Sequence, residues 1–292
     1  MANLKEIRIR ITSVKSTKQI TAAMKMVAAA KLRRAQDKIV QLRPYAGKLK
    51  EILSNLSGSL SESDIENVYA RAGEPDKVLL VVITSNRGLC GAFNANIIKE
   101  TRRIVAERYM DHLAAKKLCF LPIGKKGAEF IKKQKYEVWD NQSKLFDDLS
   151  FENVSPVATA VMDAFVAGSF DRVEIIYNQF RNPAVQDLTC EQFLPVEEVE
   201  REENAFPADY IYEPTREEIV NELIPKSLRI QFYKVVLDSF VAEHGARMTA
   251  MHAATDNATE LIRELTLQYN KARQAAITNQ IMEVVSGAEA LR

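Results

Sequence analysis

Two glycine-poor, heptad-patterned stretches, one towards each end, constrain this sequence more than any other feature. From Leu4 to about Leu56 the only glycine is Gly47, and Ala, Lys, Arg, Leu and Met, all strong helix formers, dominate. Apolar or small residues fall at Leu4, Ile7, Ile11 and Val14. After a one-residue slip they recur at Thr17, Thr21, Met24, Ala28, Ala35, Leu42, Tyr45, Leu49, Ile52 and Leu56, with Lys31 and Lys38 interrupting. This reads as one long helix with a loose heptad seam. Pro44 removes one backbone hydrogen bond and predicts a local bend. The second stretch, from about Lys226 to Ser286, alternates fours and threes more cleanly: Leu237, Val241, His244, Met248, Met251, Thr255, Ala258, Ile262, Leu265, Tyr269, Ala272 and Ala276. Pro225 fits the first turn of that helix and Gly287 its stop. At about 1.5 Å per residue the two helices are roughly 80 and 90 Å long, too long for a compact domain. Winding the two apolar stripes about each other, antiparallel, is the simplest way to cover both.

Between the helices the pattern changes to that of an α/β layer. Lys77–Thr84 is a continuous β-branched run of the buried parallel kind, followed by a glycine-containing turn and a helix from about Gly91 to Leu113. Lys117–Ile123 repeats the strand, Gly124–Lys133 the turn and helix, and Tyr136–Trp139 is a shorter strand. A helix over Val154–Ala167 and a strand over Arg172–Phe180 follow. Val185–Leu194 reads as an antiparallel edge and Glu200–Phe206 as a mobile acidic loop. The fold class is therefore α/β, a long antiparallel coiled coil of terminal helices with an inserted Rossmann-like domain. The boundaries are 1–57 and 217–292 for the coiled coil and 58–216 for the domain.

The motifs exclude more chemistry than they assign. Ser85-Asn86-Arg87-Gly88-Leu89-Cys90-Gly91 follows a strand and opens a helix, as an anion-binding turn does. It lacks the three glycines of a dinucleotide fingerprint and the Gly-Lys-Ser/Thr end of a P-loop, so it reads as a structural turn. Cys90, Cys119 and Cys190 have neither disulfide nor zinc spacing. His244 and His252 are eight residues apart, too far to share a metal. Asp163 and Asp171 have no carboxylate partner at a catalytic spacing. No cofactor, metal or active site is expected. The amino-terminal segment has no signal-peptide character and no apolar run reaches 18 residues, so the chain is expected in the cytosol, meeting a membrane only through partners.

Charge points to those partners. Residues 1–50 hold thirteen Lys and Arg against Glu6 and Asp37, a balance of +11, whereas the whole chain nets +1. Such a helix seeks an acidic surface, protein or nucleic acid. Ile277–Leu291 behaves oppositely: Glu283 and Glu289 are its only charges. A solvated helix end is normally more charged, so this tip is expected to be enclosed by something outside the chain, or else by the amino-terminal helix.

Several ordered segments carry a resemblance. Lys5-Glu6-Ile7-Arg8 and Ile20-Thr21-Ala22-Ala23-Met24-Lys25-Met26-Val27-Ala28 lie at one end, and Asn86-Arg87-Gly88-Leu89-Cys90-Gly91 in the middle. Ala246-Arg247-Met248 through Ala253-Ala254-Thr255-Asp256-Asn257-Ala258, Tyr269-Asn270-Lys271-Ala272-Arg273-Gln274-Ala275-Ala276-Ile277-Thr278 and Glu283-Val284-Val285-Ser286-Gly287-Ala288 lie at the other. Together they resemble the gamma-subunit family of bacterial F-type ATP synthases over essentially the whole chain. One departure is Gln280, which stands where the family usually has an acid. The resemblance implies a non-catalytic central rotor shaft, transmitting rotation between a proton-driven c-ring and a catalytic ring of alpha and beta subunits and regulating ATPase activity and proton flow. It implies contacts with the alpha, beta, delta and epsilon subunits and the c-ring, no self-association and no nucleic acid, on the cytoplasmic face of the bacterial inner membrane as a peripheral subunit. Met24, Lys25, Arg33, Arg34, Arg247, Arg273, Gln274 and Thr278 are then expected to meet the catalytic subunits, and Arg87 and Cys90 the epsilon and c-ring side. From the residues alone, a basic coiled-coil arm for nucleic acid, or a scaffold, stays open.

Overall fold

The computed structural model describes residues 4–60, 68–69, 73–196 and 216–289. The chain divides into two compact units, 1–29 with 247–292, and 30–246. Both boundaries fall within the terminal helices α1 (Leu4–Leu60) and α6 (Arg216–Glu289). Helix α1 runs through Pro44, and α6 starts ten residues before the expected Lys226, with Pro225 inside it. Gly287 is also helical and stops nothing.

In the first unit α1 and α6 form the antiparallel coiled coil. The α6 stripe has the expected spacing: Met251, Ala258 and Leu265 are buried, with Thr255, Ile262, Tyr269, Ala272 and Ala276 half-buried among them. The α1 stripe corrects the expectation. It runs Ile7, Ile11, Val14, Lys18, Thr21, Lys25, Ala28 in unbroken steps of four and three, and Thr17 is exposed. The slip disappears once Lys18 and Lys25 are admitted, because a lysine lays its four-carbon stem along a seam while its ammonium stays in water. The hydroxyls of Thr21 and Thr255 lie 2.9 Å apart in this seam. A hydrogen-bonded polar pair among small apolar neighbours favours one register over the others.

The second unit is built on a five-stranded sheet of order β3-β2-β1-β4-β5. Its strands are β1 (Val78–Ile83), β2 (Leu118–Ile123), β3 (Glu137–Val138), β4 (Arg172–Phe180) and β5 (Gln186–Leu194). The first four are parallel and β5 is antiparallel to β4, as the expected edge required. All six residues of β1 are fully buried, which is why its sequence is continuous Val, Leu and Ile. Helices α2 (Phe93–Arg108), α3 (Met110–Ala114), α4 (Lys125–Gln134) and α5 (Phe151–Val166) follow β1, β2 and β3. One core layer packs Phe93, Ile97, Ile104 and Val105 of α2 and Phe130 and Ile131 of α4 against Val78, Leu80 and Phe120. Helix α5 begins at Phe151, three residues before the expected Val154, because Ser150 accepts a hydrogen bond from the Asn153 amide. The acidic segment expected as a loop at Glu200–Phe206 lies outside the described residues.

In this unit α1 buries Leu32, Ala35, Ile39 and Leu49, so Leu32 and Ile39 carry the stripe beside the two lysines that interrupt the expected seam. Tyr45, expected in that seam, is 46% exposed. Lys38 is no interruption at all: its ammonium donates to the carbonyl of Leu149, 3.1 Å away, tying α1 to the segment before α5. The α6 segment here is buried nearly all round, through Leu228, Ile230, Phe232, Val235, Val236, Leu237 and Val241. Aromatic contacts hold it, Phe193 to Phe232 at 5.4 Å, Phe146 to Phe240 at 5.9 Å and Phe151 to Tyr233 at 5.7 Å between ring centres.

Gly124 is the tightest backbone position of the sheet. Its φ is +105°, and a Cβ there would lie 2.0 Å from the carbonyl oxygen of Thr84 at the end of β1. The close approach lets the Gly127 amide donate to the Thr84 hydroxyl at 2.7 Å, which locks α4 onto β1. Gly124→Ala is expected to lower the unfolding free energy by about 2 kcal/mol or more, combining backbone strain with the clash. Urea denaturation of the full chain beside wild type measures it.

Candidate functional site

The terminal helices carry exposed apolar and basic side chains over much of their length. Every described residue of 277–288 is exposed, including Ile277 at 45%, Met282 at 63% and Val284 at 72%. The amino-terminal helix therefore does not cover this tip, and five apolar side chains, with Ile281 and Val285, stand in water. Arg273 and Gln274 are exposed just before it, outside the stripe at Ala272 and Ala276. Thr278 is exposed too, but its hydroxyl bonds back to the Gln274 carbonyl at 3.0 Å. Helix α1 has a second, outward stripe that a single-seam reading does not contain: Ile9, Ser13, Ser16, Ile20, Ala23 and Val27, all exposed and uncharged. Its signal is present in the sequence as a second set of fours and threes, two residues ahead of the buried one.

The remaining expected contact residues divide by burial. Arg33 and Arg34 are exposed on α1, whereas Met24 and Lys25 are half-buried and Lys25 belongs to the seam. Arg247 is only 8% exposed, which withdraws its guanidinium from a partner's reach in this structure. Arg87 is exposed in the β1–α2 turn, but Cys90 of the same turn is 1% exposed. Of that pair only Arg87 presents a surface.

The β1–α2 turn consumes its own polar groups. The Ser85 amide donates to the Asn94 side-chain carbonyl at 3.0 Å, the Ser85 hydroxyl donates to the Arg87 carbonyl at 2.7 Å, and the Asn94 amide donates to the Cys90 sulfur at 3.3 Å. Leu89 and Gly91 take positive φ of 63° and 61° to close the loop. Asn94, which the motif reading missed, is the hub. The strand order reverses direction between β1 and β4, where doubly wound sheets open their ligand crevice. Here the chain fills it. Asn178 of β4 is buried and donates to the Phe93 carbonyl at 3.2 Å, Ala242 of α6 joins the core, and Gly245 packs on Pro183 and Phe180.

Buried polar groups elsewhere in the sheet are matched to each other. Glu174, 4% exposed, accepts from the Tyr109 hydroxyl at 2.7 Å and the Cys190 thiol at 3.4 Å, with the Arg108 guanidinium 3.6 Å away. Burial, then the neighbouring Glu174 carboxylate, pushes both Tyr109 and Cys190 up to about 12. Burial also raises Cys119. Asp171 accepts from the Asp76 and Lys77 amides at 3.1 and 2.9 Å, a capping role at the start of β1. Among the described residues no group of three or more His, Cys, Asp or Glu is placed to hold a metal.

Comparison with known proteins supplies a context for these surfaces. The sequence profile of the family described as ATP synthase matches residues 3–291. The ATP synthase gamma chain of Flavobacterium psychrophilum is 57% identical over 292 residues, covering the whole of both chains. That of Cytophaga hutchinsonii is 53% identical over 294 residues, covering 100% of this chain and 99% of its own. Among solved structures, the rotor of the Euglena gracilis mitochondrial ATP synthase superposes with a TM-score of 0.64 at 20% identity, over 94% of this chain and 98% of that one. A second structure of that assembly, comprising OSCP, F1 and c-ring, gives 0.66 at 21% identity, over 99% and 94%.

The thiol environments yield a direct test. A thiol at about 12 is thiolate to about one part in ten thousand at pH 8, and Cys90 is shut from solvent. Ellman's reagent at pH 8 is expected to react with Cys90 and Cys190 of the native chain at least about 100-fold more slowly than with the same thiols in denaturant.

Proposed function

This chain belongs to the ATP synthase gamma-chain family, and we propose that it works as the complex's non-catalytic rotor shaft, carrying rotation between a proton-driven c-ring and the catalytic alpha and beta subunits. The observation that carries the reading is the bare apolar tip. Residues 277–288 are exposed, nearly uncharged and uncovered by their own partner helix, so a stable assembly must enclose them. A sleeve contacting small and apolar side chains forms no strong directional bond with any one orientation, so the tip turns in it at low cost. The shaft we assign to 1–57 and 217–292, with 58–216 as the head. The seam gives the shaft its stiffness, since a/d packing along two helices resists bending and twisting better than one helix. The positive charge of residues 1–50 meets acidic surfaces of successive catalytic subunits through exposed ion pairs worth about 1 kcal/mol or less each, too weak to trap the rotor. A shaft without threefold symmetry holds three catalytic subunits in different conformations, and rotation exchanges them.

Around this shaft we place alpha, beta and delta subunits on the catalytic side, and epsilon and the c-ring against the head, where Arg87 is presented. Among the described residues no helix is long and apolar enough to cross a membrane. We assign the chain to the cytoplasmic face of the bacterial inner membrane through those partners. The alternative of a nucleic-acid arm has no support from the family relationship.

Two substitutions test the mechanism. Arg273 and Gln274 project beside the seam just before the slippery tip, and a guanidinium holds a carboxylate in a bidentate fork. Replacing both with Ala is expected to lower the ATPase rate of the reconstituted complex by about 2- to 5-fold, the scale of a polar contact worth about 0.5–1 kcal/mol. Circular dichroism and complex yield should not change, since neither residue lies in the seam. Met24→Lys adds an ammonium next to Lys25 at the half-buried edge of the seam, on the basic amino-terminal helix. It is expected to lower proton pumping by at least about 2-fold more than hydrolysis, because an added ion pair must break at each step. Equal loss of both rates would defeat the uncoupling explanation.

A further inference from the structure

A cleft of about 580 Å³ opens beside the outer edge of the sheet, between α4 and β3. Its lining includes Lys125, Lys132, Lys135, Tyr136 and Val138. Tyr136 forms an apolar floor, stacked on Phe120 at 4.8 Å and edge-on to Phe130 at 6.2 Å. Among the described residues β3 pairs with β2 alone, on one side. The Trp139 amide donates to the Phe120 carbonyl at 2.9 Å, so by the alternation of a parallel ladder the N–H and C=O of Val138 point away from β2, towards solvent.

The charge around this edge is one-sided. Lys125, Lys132 and Lys135 are exposed, and no ion pair engages them among the described residues. Glu129, which also lines the cleft, is held by Lys126 at 2.7 Å. The carboxylate of Asp140 is occupied by the Asn141 amide at 2.7 Å and the Gln142 side chain at 2.5 Å. Glu137 shares a face with Cys119 by register, the face opposite Val138 and Phe120. Helix electrostatics account for Lys132 near the α4 carboxy terminus, but Lys125 sits in the first turn, where a cation opposes the dipole. Lys135 holds a left-handed φ of 59° at the helix C-cap, a position that glycine takes without strain. Both lysines therefore sit where the helix alone disfavours them.

We propose that this cleft docks an acidic, extended segment of a partner polypeptide, which adds a strand to the free edge of β3 while its carboxylates meet Lys125, Lys132 and Lys135. Main-chain bonds to Val138 supply the pairing, Tyr136 takes an apolar side chain, and the lysines select the charge. Lys125 and Lys132 are about 10 Å apart along α4, which three to four extended residues span. A segment of about six residues with carboxylates at both ends fits.

The test uses the full chain alone, so its outcome is independent of rotor assembly. A fluorescein-labelled peptide alternating Glu and Val over seven residues is titrated by fluorescence anisotropy, beside its Gln-for-Glu counterpart. The acidic peptide is expected to bind at least about tenfold more tightly than the Gln peptide, and to weaken with salt. Lys125→Glu with Lys132→Glu should cost about tenfold or more. Val138→Pro removes only the outward amide, leaves the ladder to β2 intact, and should weaken binding similarly. Lys135→Gly should weaken binding while leaving the urea midpoint unchanged or higher, which separates a binding role from a structural one. Equal affinity for the two peptides, or unchanged affinity in the charge-reversed pair, overturns the proposal. So does unchanged affinity in Val138→Pro, which would mark a mere anion patch, and so does binding to phosphatidylserine vesicles with none to the peptide.

Discussion

Burial along α6 falls in three steps, and the rest of the molecule is arranged around that gradient. From Leu228 to Gly245 the helix is enclosed nearly all round; from Met251 to Ala276 it is covered along one stripe; from Ile277 to Ala288 it is bare. Each step changes what the surrounding chain must supply. The enclosed part needs the sheet, α5 and aromatic neighbours such as Phe193 and Phe146. The striped part needs only one other helix, and the exposed part has no cover among the described residues. Apolar burial at about 25 cal/mol per Å² is the term that sorts these regimes.

The sheet shows how a nucleotide-binding topology is turned to a structural use. Doubly wound sheets leave a crevice at the point where the strand order reverses, and phosphate ligands settle there against a glycine-rich turn. In this chain the turn is closed by Ser85, Asn94 and Cys90 bonding one another, and the crevice is packed with Asn178, Phe93 and α6. At that point the sheet holds α6 through Ala242 and Gly245. The buried Glu174 follows the same logic: desolvation is met by Tyr109, Cys190 and Arg108, which leaves a satisfied carboxylate in a core.

Charge is distributed differently over three exposed surfaces. The basic face of α1 is spread and exposed, suited to weak contacts that exchange. The three lysines at β3 converge on one cleft beside a free strand edge, a geometry suited to a single extended occupant. The tip carries almost no charge, so it offers few side chains for strong directional bonds.

The sequence by itself determined that a heptad stripe lies at each end, the strand order of the inserted domain with the helices between its strands, its antiparallel edge, and the uncharged tip. These are local patterns: side-chain period and turn chemistry are written in neighbouring residues. The break at Tyr109 that divides the expected Gly91–Leu113 helix into α2 and α3 is not in the pattern. The α6 stripe was legible nearly residue by residue because its seam positions are apolar or small. Only tertiary structure decided the α1 register, because Lys18 and Lys25 read as polar while their stems are what the seam buries. It also decided that Lys38 fastens Leu149, that Arg247 and Cys90 turn inward, that Asn94 governs the motif turn, and that lysines from both ends of α4 meet beside one strand edge. Each depends on residues far apart in sequence or on which way a long side chain points, and neither is carried by composition or period.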